Sequence, residues 1–235
     1  MRLETKLVYA ALLALALLPV RAAFAAEDKD SVLRRLDAAA ANFHSTAADF
    51  EFDSVQTDPV PDKDIQKGTV YYERKGKAFQ MAAHIREFNG KPAPKVYAYA
   101  AGVLKLYEKP INQVTTFAKA GKFESYLMLG FGASGTDLEQ KWEIKYLGPE
   151  VLMDGKTGVK TEKLELIAKD SAVRKNIAKV TVWIDPERAV SLKQVFYESS
   201  SAYRVCVYFN IKTNQSLPAA AFTLDTDRQT QYVSR

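Results

Sequence analysis

The residues able to do bond chemistry are few. The chain holds two histidines, His44 and His84, and one cysteine, Cys206. Two imidazoles do not make a His-rich metal site, and a Ser-His-Asp arrangement needs one of them as its base. No G-x-S-x-G turn is present to present a nucleophilic serine. Cys206 stands inside an apolar run, the setting of a packed thiol and not of a thiolate. Gly130-Phe131-Gly132, followed by Gly135, lacks the lysine, the preceding strand and the helix start of a phosphate loop. Asp58, Asp62 and Asp64 offer carboxylates, but the neighbouring prolines and the absent glycine and glutamate exclude an EF-hand. Among 28 acidic residues no spacing singles out a glycosidase pair. The expectation is a protein that binds without catalysis, holding no metal and no cofactor.

The elements that carry these residues follow from periodicity. Val32, Leu33, Leu36, Ala40 and Phe43 recur at helical spacing behind a cap at Asp30 or Ser31, with Arg34, Arg35 and Asp37 opposite. This amphipathic helix needs a surface to cover. Beyond His44 the period becomes two. Phe50 and Phe52, Val70 and Tyr72, Phe79 to Ala83, Tyr97 and Tyr99, Leu104 and Leu106, Trp142 to Tyr146, Leu164 and Leu166, Val180 to Ile184, Val195 and Tyr197, and Tyr203 to Phe209 read as about nine or ten strands. In the last of these, Tyr203, Val205, Val207 and Phe209 are expected to face one side, against Arg204, Cys206 and Tyr208. Short turns force antiparallel neighbours. Phe123, Tyr126, Leu127, Met128 and Phe131 fit a short helix ended by Gly130 and Gly132, and Phe222-Thr223-Leu224 is a candidate last strand.

The predicted fold is α+β, mainly β: an incompletely closed antiparallel barrel, or curved sheet, covered by short helices. Two interiors remain open on this pattern. Either the helices fill the concave side, or they roof a cavity whose aromatic lining faces a ligand.

Residues 1–25 read as a secretory leader. Arg2 and Lys6 precede the apolar run Leu7 to Val20, and Ala23-Phe24-Ala25 is an A-x-A site, so cleavage after Ala25 is expected, with an uncleaved anchor as the other reading. No cysteine follows the cut to carry a lipid. Removal leaves about 210 of the 235 residues, one ordinary domain spanning 26–235. The whole-chain charge of +5 falls to about +3 once Arg2, Lys6, Arg21 and Glu4 are gone. Lysines interleave with acids, a solvated surface and not a nucleic-acid stripe. A lone cysteine leaves stability to packing.

The stretch Gly68-Thr69-Val70-Tyr71-Tyr72-Glu73-Arg74 resembles the early strand of the periplasmic lipoprotein carrier (LolA-like) family. Gly102 to Pro110, followed by Asn112-Gln113-Val114-Thr115, is similar to that family's Gly-to-Pro hairpin, Asp49-Phe50 to its first strand, and Ala219-Ala220-Ala221-Phe222-Thr223-Leu224 to its C-terminal Ala-x-Phe-Thr-Phe. Lys75 stands where the family carries proline, and Met81 where tryptophan is common. The resemblance implies a periplasmic chaperone, a monomer, that shields acyl chains of lipoproteins or a related lipid and takes them from an inner-membrane donor transporter toward an outer-membrane acceptor. It implies a cavity lined by Phe50, Phe52, Val70, Tyr72, Phe79, Met81, Leu104, Leu106, Leu127, Met128, Phe131, Trp142, Ile144, Val182, Val205 and Val207. It also implies that Arg74 gates the lid through hydrogen bonds to lid backbone; position alone fits a solvated strand-end arginine equally. A sensing module that binds a protein or glycolipid on the same fold is the alternative, and a hydrolase a third.

Overall fold

A computed structural model of the protein describes residues 28–76 and 78–235. The leader of residues 1–25 and its cleavage site lie outside the described residues. Among those described, no helix is long and apolar enough to cross a membrane.

The chain opens with helix α1 (Lys29–Ala41). Its cap is Asp28, whose carboxylate accepts the Ser31 N–H at 2.8 Å, so the helix starts earlier than a cap at Asp30 or Ser31 would give. Six strands follow: β1 (Ser45–Gln56), β2 (Asp62–Lys75), β3 (Ala78–Phe88), β4 (Lys91–Ala100), β5 (Val103–Glu108) and β6 (Gln113–Phe117). A connecting segment then carries a 3-10 turn (Ala120–Phe123), helix α2 (Glu124–Leu127) and helix α3 (Gly135–Lys141). Strands β7 (Trp142–Asp154) and β8 (Thr157–Ala168), the one-turn helix α4 (Ser171–Arg174), and strands β9 (Ile177–Asp185), β10 (Val190–Glu198), β11 (Tyr203–Thr213) and β12 (Gln231–Ser234) complete it.

All twelve strands form one sheet in the order β12-β6-β5-β4-β3-β2-β1-β11-β10-β9-β8-β7. Each neighbour is antiparallel except β12, which adds parallel to β6. The sheet is open and curved. At one end the β7–β8 hairpin folds back over β11. The Asp154 carboxylate accepts the Ile211 N–H at 2.9 Å, and Leu152 and Val159 pack on the apolar cluster beneath.

Twelve strands exceed the expected nine or ten because β6 and β12 carry little alternation. All four residues of β12 are exposed, and backbone pairing alone builds it. Phe222-Thr223-Leu224 is no strand; the segment crosses the outer face of β4–β6 as irregular chain behind the turn at Pro218. The central helix is also shorter than its apolar spacing suggests. It stops at Leu127, and Phe131 lies beyond it in an isolated bridge to Val190. A helix does start at Gly135, capped by Ser134, though no strand precedes it to make a phosphate loop.

The concave side holds two apolar clusters. The first gathers Phe50, Val70, Tyr72, Phe79, Met81, Tyr99, Phe131, Cys206 and Tyr208. The second packs Val32, Leu33 and Leu36 of α1 on Trp142, Leu164, Leu166, Val180, Val182 and Ile184. Trp142, Ile144 and Val182, expected in the cavity, belong instead to this second cluster. The cause is α1 itself: its apolar stripe must be buried somewhere, and it takes the β7–β9 half of the sheet.

Candidate functional site

The other half of the concave face is not filled. A cavity of about 420 Å3 lies over β1–β5, β10 and β11, inside the range of about 300–1,000 Å3 in which small-molecule sites fall. Phe50, Phe52, Val70, Tyr72, Met81, Leu104 and Leu127 line it, as their alternation predicts. Phe79, Met128 and Phe131 sit in the adjoining cluster without lining it. Leu106 follows Leu104 on the same strand face, half-buried, beyond the lining.

Val205 and Val207 are corrected. They point to the convex side, Val207 37% exposed, while Cys206 and Tyr208 line the cavity. Both alternate sets in Tyr203–Phe209 are apolar enough to be buried, so period alone could not choose between them. Pairing across the sheet chooses: Phe50 stands opposite Tyr208, and Phe52 opposite Cys206. Ile85, Tyr97, Gln194 and Phe196 also line the space. Ile85 continues the period of Met81 and Ala83. Gln194 gives no such sign, being a polar residue buried among apolar ones.

The roof is the segment after β6. Phe131, fully buried, stacks on Tyr72 (centroids 4.0 Å apart, planes at 10°) and meets Tyr208 edge-on (4.8 Å, 80°). Such ring pairs add about 0.5–1.5 kcal/mol beyond area burial. The flanking backbone is tied to β10. The Gly132 N–H donates to the Ala189 carbonyl at 2.8 Å, the Ser191 N–H to the Gly130 carbonyl at 2.6 Å, and the Gln194 side-chain amide to the Leu129 carbonyl at 2.5 Å. Tyr208 in turn donates to Gln194 at 3.2 Å, which links cavity wall to roof. Gly130 and Gly132 have φ of +74° and +69°, and a Cβ on either would strike Ser191 or the Phe43 ring. Farther along, Tyr99 donates to the Glu124 carboxylate at the start of α2.

Arg74 joins both covers. Nη1 donates to the Ala40 carbonyl at the end of α1 (3.2 Å), Nη2 to the Gly132 carbonyl (2.6 Å), and the Arg74 N–H to the His44 carbonyl (2.8 Å). Its guanidinium also lies 5.7 Å from the Phe43 ring centroid. This is no solvated strand end.

The remaining candidate chemistry is dispersed. His84 bonds through Nε2 to the Ala221 carbonyl at 2.7 Å on the outer face, and His44 stands at the end of α1. Burial pushes the Cys206 thiol up to about 12, so it stays protonated at neutral pH. Among the described residues no three His, Cys, Asp or Glu side chains gather as metal ligands. A larger groove of about 980 Å3 opens beside Asp154, Asp185 and Arg188. There Arg188 is held by both carboxylates, at 2.9 and 2.6 Å, which makes the group a structural ion-pair network and not an apolar site.

In Arg74→Leu the carbonyls of Ala40 and Gly132 lose their donor, at a cost of about 1–3 kcal/mol for each that stays buried. Amide exchange at Phe131, Gly132 and Ser191 should rise at least about tenfold, with strand β9 unchanged, and Arg74→Lys should not restore it because one ammonium lacks the guanidinium fork. Unchanged exchange would remove Arg74 from the roof's support. A second prediction concerns pH. Burial raises Tyr72 and Tyr208, and burial followed by the Glu124 carboxylate raises Tyr99 to about 12. The unfolded chain releases these protons near pH 10 and the folded chain above it, so stability is kept below about pH 10 and falls as pH rises further. Denaturant midpoints measured across that range check the sign.

No protein-family model matches the chain, and no curated protein does. Solved structures do. An uncharacterized conserved protein from Thermus thermophilus is 13% identical with a TM-score of 0.53, over 89% of this chain and all of that one. A LolA superfamily protein from Nitrosomonas europaea is 16% identical with a TM-score of 0.40, over 85% of this chain and 99% of that one. The MucA/MucB complex of Pseudomonas aeruginosa gives 10% identity and a TM-score of 0.49, over 84% of this chain but only 61% of that one. At such identities what the chain shares with the Thermus protein is the fold.

Proposed function

We propose that the protein binds an acyl chain in the cavity over β1–β5 and carries it, as free lipid or attached to a protein, through the periplasm between membrane donors and acceptors. The single observation that supports this reading is the contrast between the two halves of the concave face. The half under α1 is a cluster of buried side chains, while the half under the Phe131 segment keeps about 420 Å3 of apolar space. A protein that needed only stability would fill that space, since an empty volume forfeits packing energy.

The chemistry suits carriage better than catalysis. The lining is aromatic and aliphatic with a few amide and hydroxyl groups, the Arg204 guanidinium at its edge and the buried, protonated Cys206 thiol, and none of the lining side chains is a histidine or carboxylate that could serve as a base. Each buried methylene contributes about 0.8 kcal/mol, so a single chain binds reversibly and can be surrendered to a membrane. The roof is a short irregular segment held by individual hydrogen bonds, the kind of element that opens without unfolding the sheet.

The test is fluorescence of an apolar dye with the purified protein. Dye emission should rise on binding and fall when an acylated peptide or a fatty acid is added. Ala83→Trp, which puts an indole into the cavity from β3, should lower dye affinity more than about tenfold, with the circular dichroism spectrum unchanged. Dye binding that ignores acyl chains and Ala83→Trp alike would contradict the reading, as would purification with one non-lipidated protein partner and no lipid.

A further inference from the structure

We infer that the cavity holds a polar seat for an uncharged acyl carbonyl, the ester or amide end of an acyl chain, with Gln194 and Tyr72 as its donors and Tyr208 holding the Gln194 amide in place; this deepens the acyl-binding reading above and rests on it. All three residues line the space, and each is under a tenth exposed. The other hydroxyl, amide and guanidinium groups of the lining, on Gln66, Tyr97, Tyr126 and Arg204, belong to half-buried or exposed residues. The three form a deep polar patch in a wall that is otherwise aliphatic, aromatic or thiol.

The donors follow from the hydrogen bonds already made. A glutamine amide has two N–H donors. One goes to the Leu129 carbonyl at 2.5 Å, and Oε1 accepts the Tyr208 hydroxyl at 3.2 Å, which fixes the way the amide points. The second N–H has no acceptor among the described residues. The Tyr72 hydroxyl stands beside that of Tyr208. With the Tyr208 proton committed to Gln194, the Tyr72 O–H can turn to a guest. A donor buried without an acceptor is costly, and a guest of pure hydrocarbon leaves both in that state. A carbonyl oxygen has two lone pairs and can accept from both.

The seat is neutral and remote from the one cation of the lining. Arg204 lies four residues from Tyr208 on the same face of β11, about 13 Å of strand. Glu198 already holds it at 2.6 Å. Burial raises Tyr72 and Tyr208, so both remain protonated at neutral pH. A carboxylate in this seat would be buried without a counter-charge, which an ester or amide carbonyl avoids. Val70, Met81, Ile85 and Leu104, on β2, β3 and β5, leave an aliphatic floor for the methylenes.

The test uses the purified protein with methyl myristate and N-methylmyristamide, each carbon-13-labelled at the carbonyl, and reads the carbonyl stretch of the bound compound by isotope-edited infrared spectroscopy. The stretch should lie below that of the same compound in hexadecane, the mark of an accepted hydrogen bond. Gln194→Leu and Tyr72→Phe, which keep the shape of the wall, should each return it toward the hexadecane value and weaken binding about two- to tenfold, the worth of one hydrogen bond. Should either variant not fold, the wild-type spectrum still decides. A shift in the ester alone assigns the seat to lipid esters, and in the amide alone to N-acylated polypeptide; either supports it. Bound compounds with an unshifted carbonyl, a shift that survives both substitutions, or myristate displacing dye as well as the ester at a pH where it is ionised overturns the inference while leaving acyl binding intact. Binding of no acyl compound at all overturns the underlying reading as well.

Discussion

A sheet of twelve strands, antiparallel but for β12, has a concave face too wide for its own side chains to bury, and the covers of this protein answer that constraint. Two covers answer it in different ways. Helix α1 is a regular apolar stripe, and it seals the β7–β9 half with a packed cluster. The segment after β6 is irregular, and it covers the remaining half with Phe131, set between Tyr72 and Tyr208, and with Leu127 and Met128 beside it. A regular helix presents many side chains in a fixed pattern. A short irregular segment with a few apolar side chains does not fill the same area, and a cavity remains beside Phe131.

Arg74 is where the covers meet. A cation with one donor on the Ala40 carbonyl near the end of α1 and another on the Gly132 carbonyl of the loop that carries Phe131 ties the helical cover to the irregular one. Gln194 does the corresponding work from the wall side, with Tyr208 on one end of its amide and the Leu129 carbonyl on the other. A ligand that displaces either tyrosine therefore acts on the roof directly. The groups that complete the interior are those a guest would touch, and this gives binding and opening a common set of contacts.

Much of this was legible in the sequence. Alternation in Phe50, Val70, Tyr72, Met81 and Leu104 marks the lining, and the stretch Gly68 to Arg74 draws attention to Arg74 through resemblance. What was not legible has physical causes. In β11 both faces are apolar, so only the pairing with β1 tells that Cys206 and Tyr208 turn inward and Val205 and Val207 outward. Trp142, Ile144 and Val182 carry the same signal as cavity residues, and only the position of α1 separates them. β12 exists because β6 offers an unpaired edge, a property of the assembled sheet and not of the four residues that use it. Phe131 looks like the last turn of a helix and is instead the ring that closes the core, since Gly130 and Gly132 take positive φ on either side of it.

Whether the space beside Phe131 receives a guest is read most directly by isotope-filtered NMR on the protein with carbon-13-labelled myristate. Cross-peaks should run from the chain methylenes to the methyl groups of Val70, Met81, Ile85 and Leu104. Cross-peaks confined to the outer-face residues Val103 and Leu224, with the four interior methyl groups silent, would contradict a guest in that space.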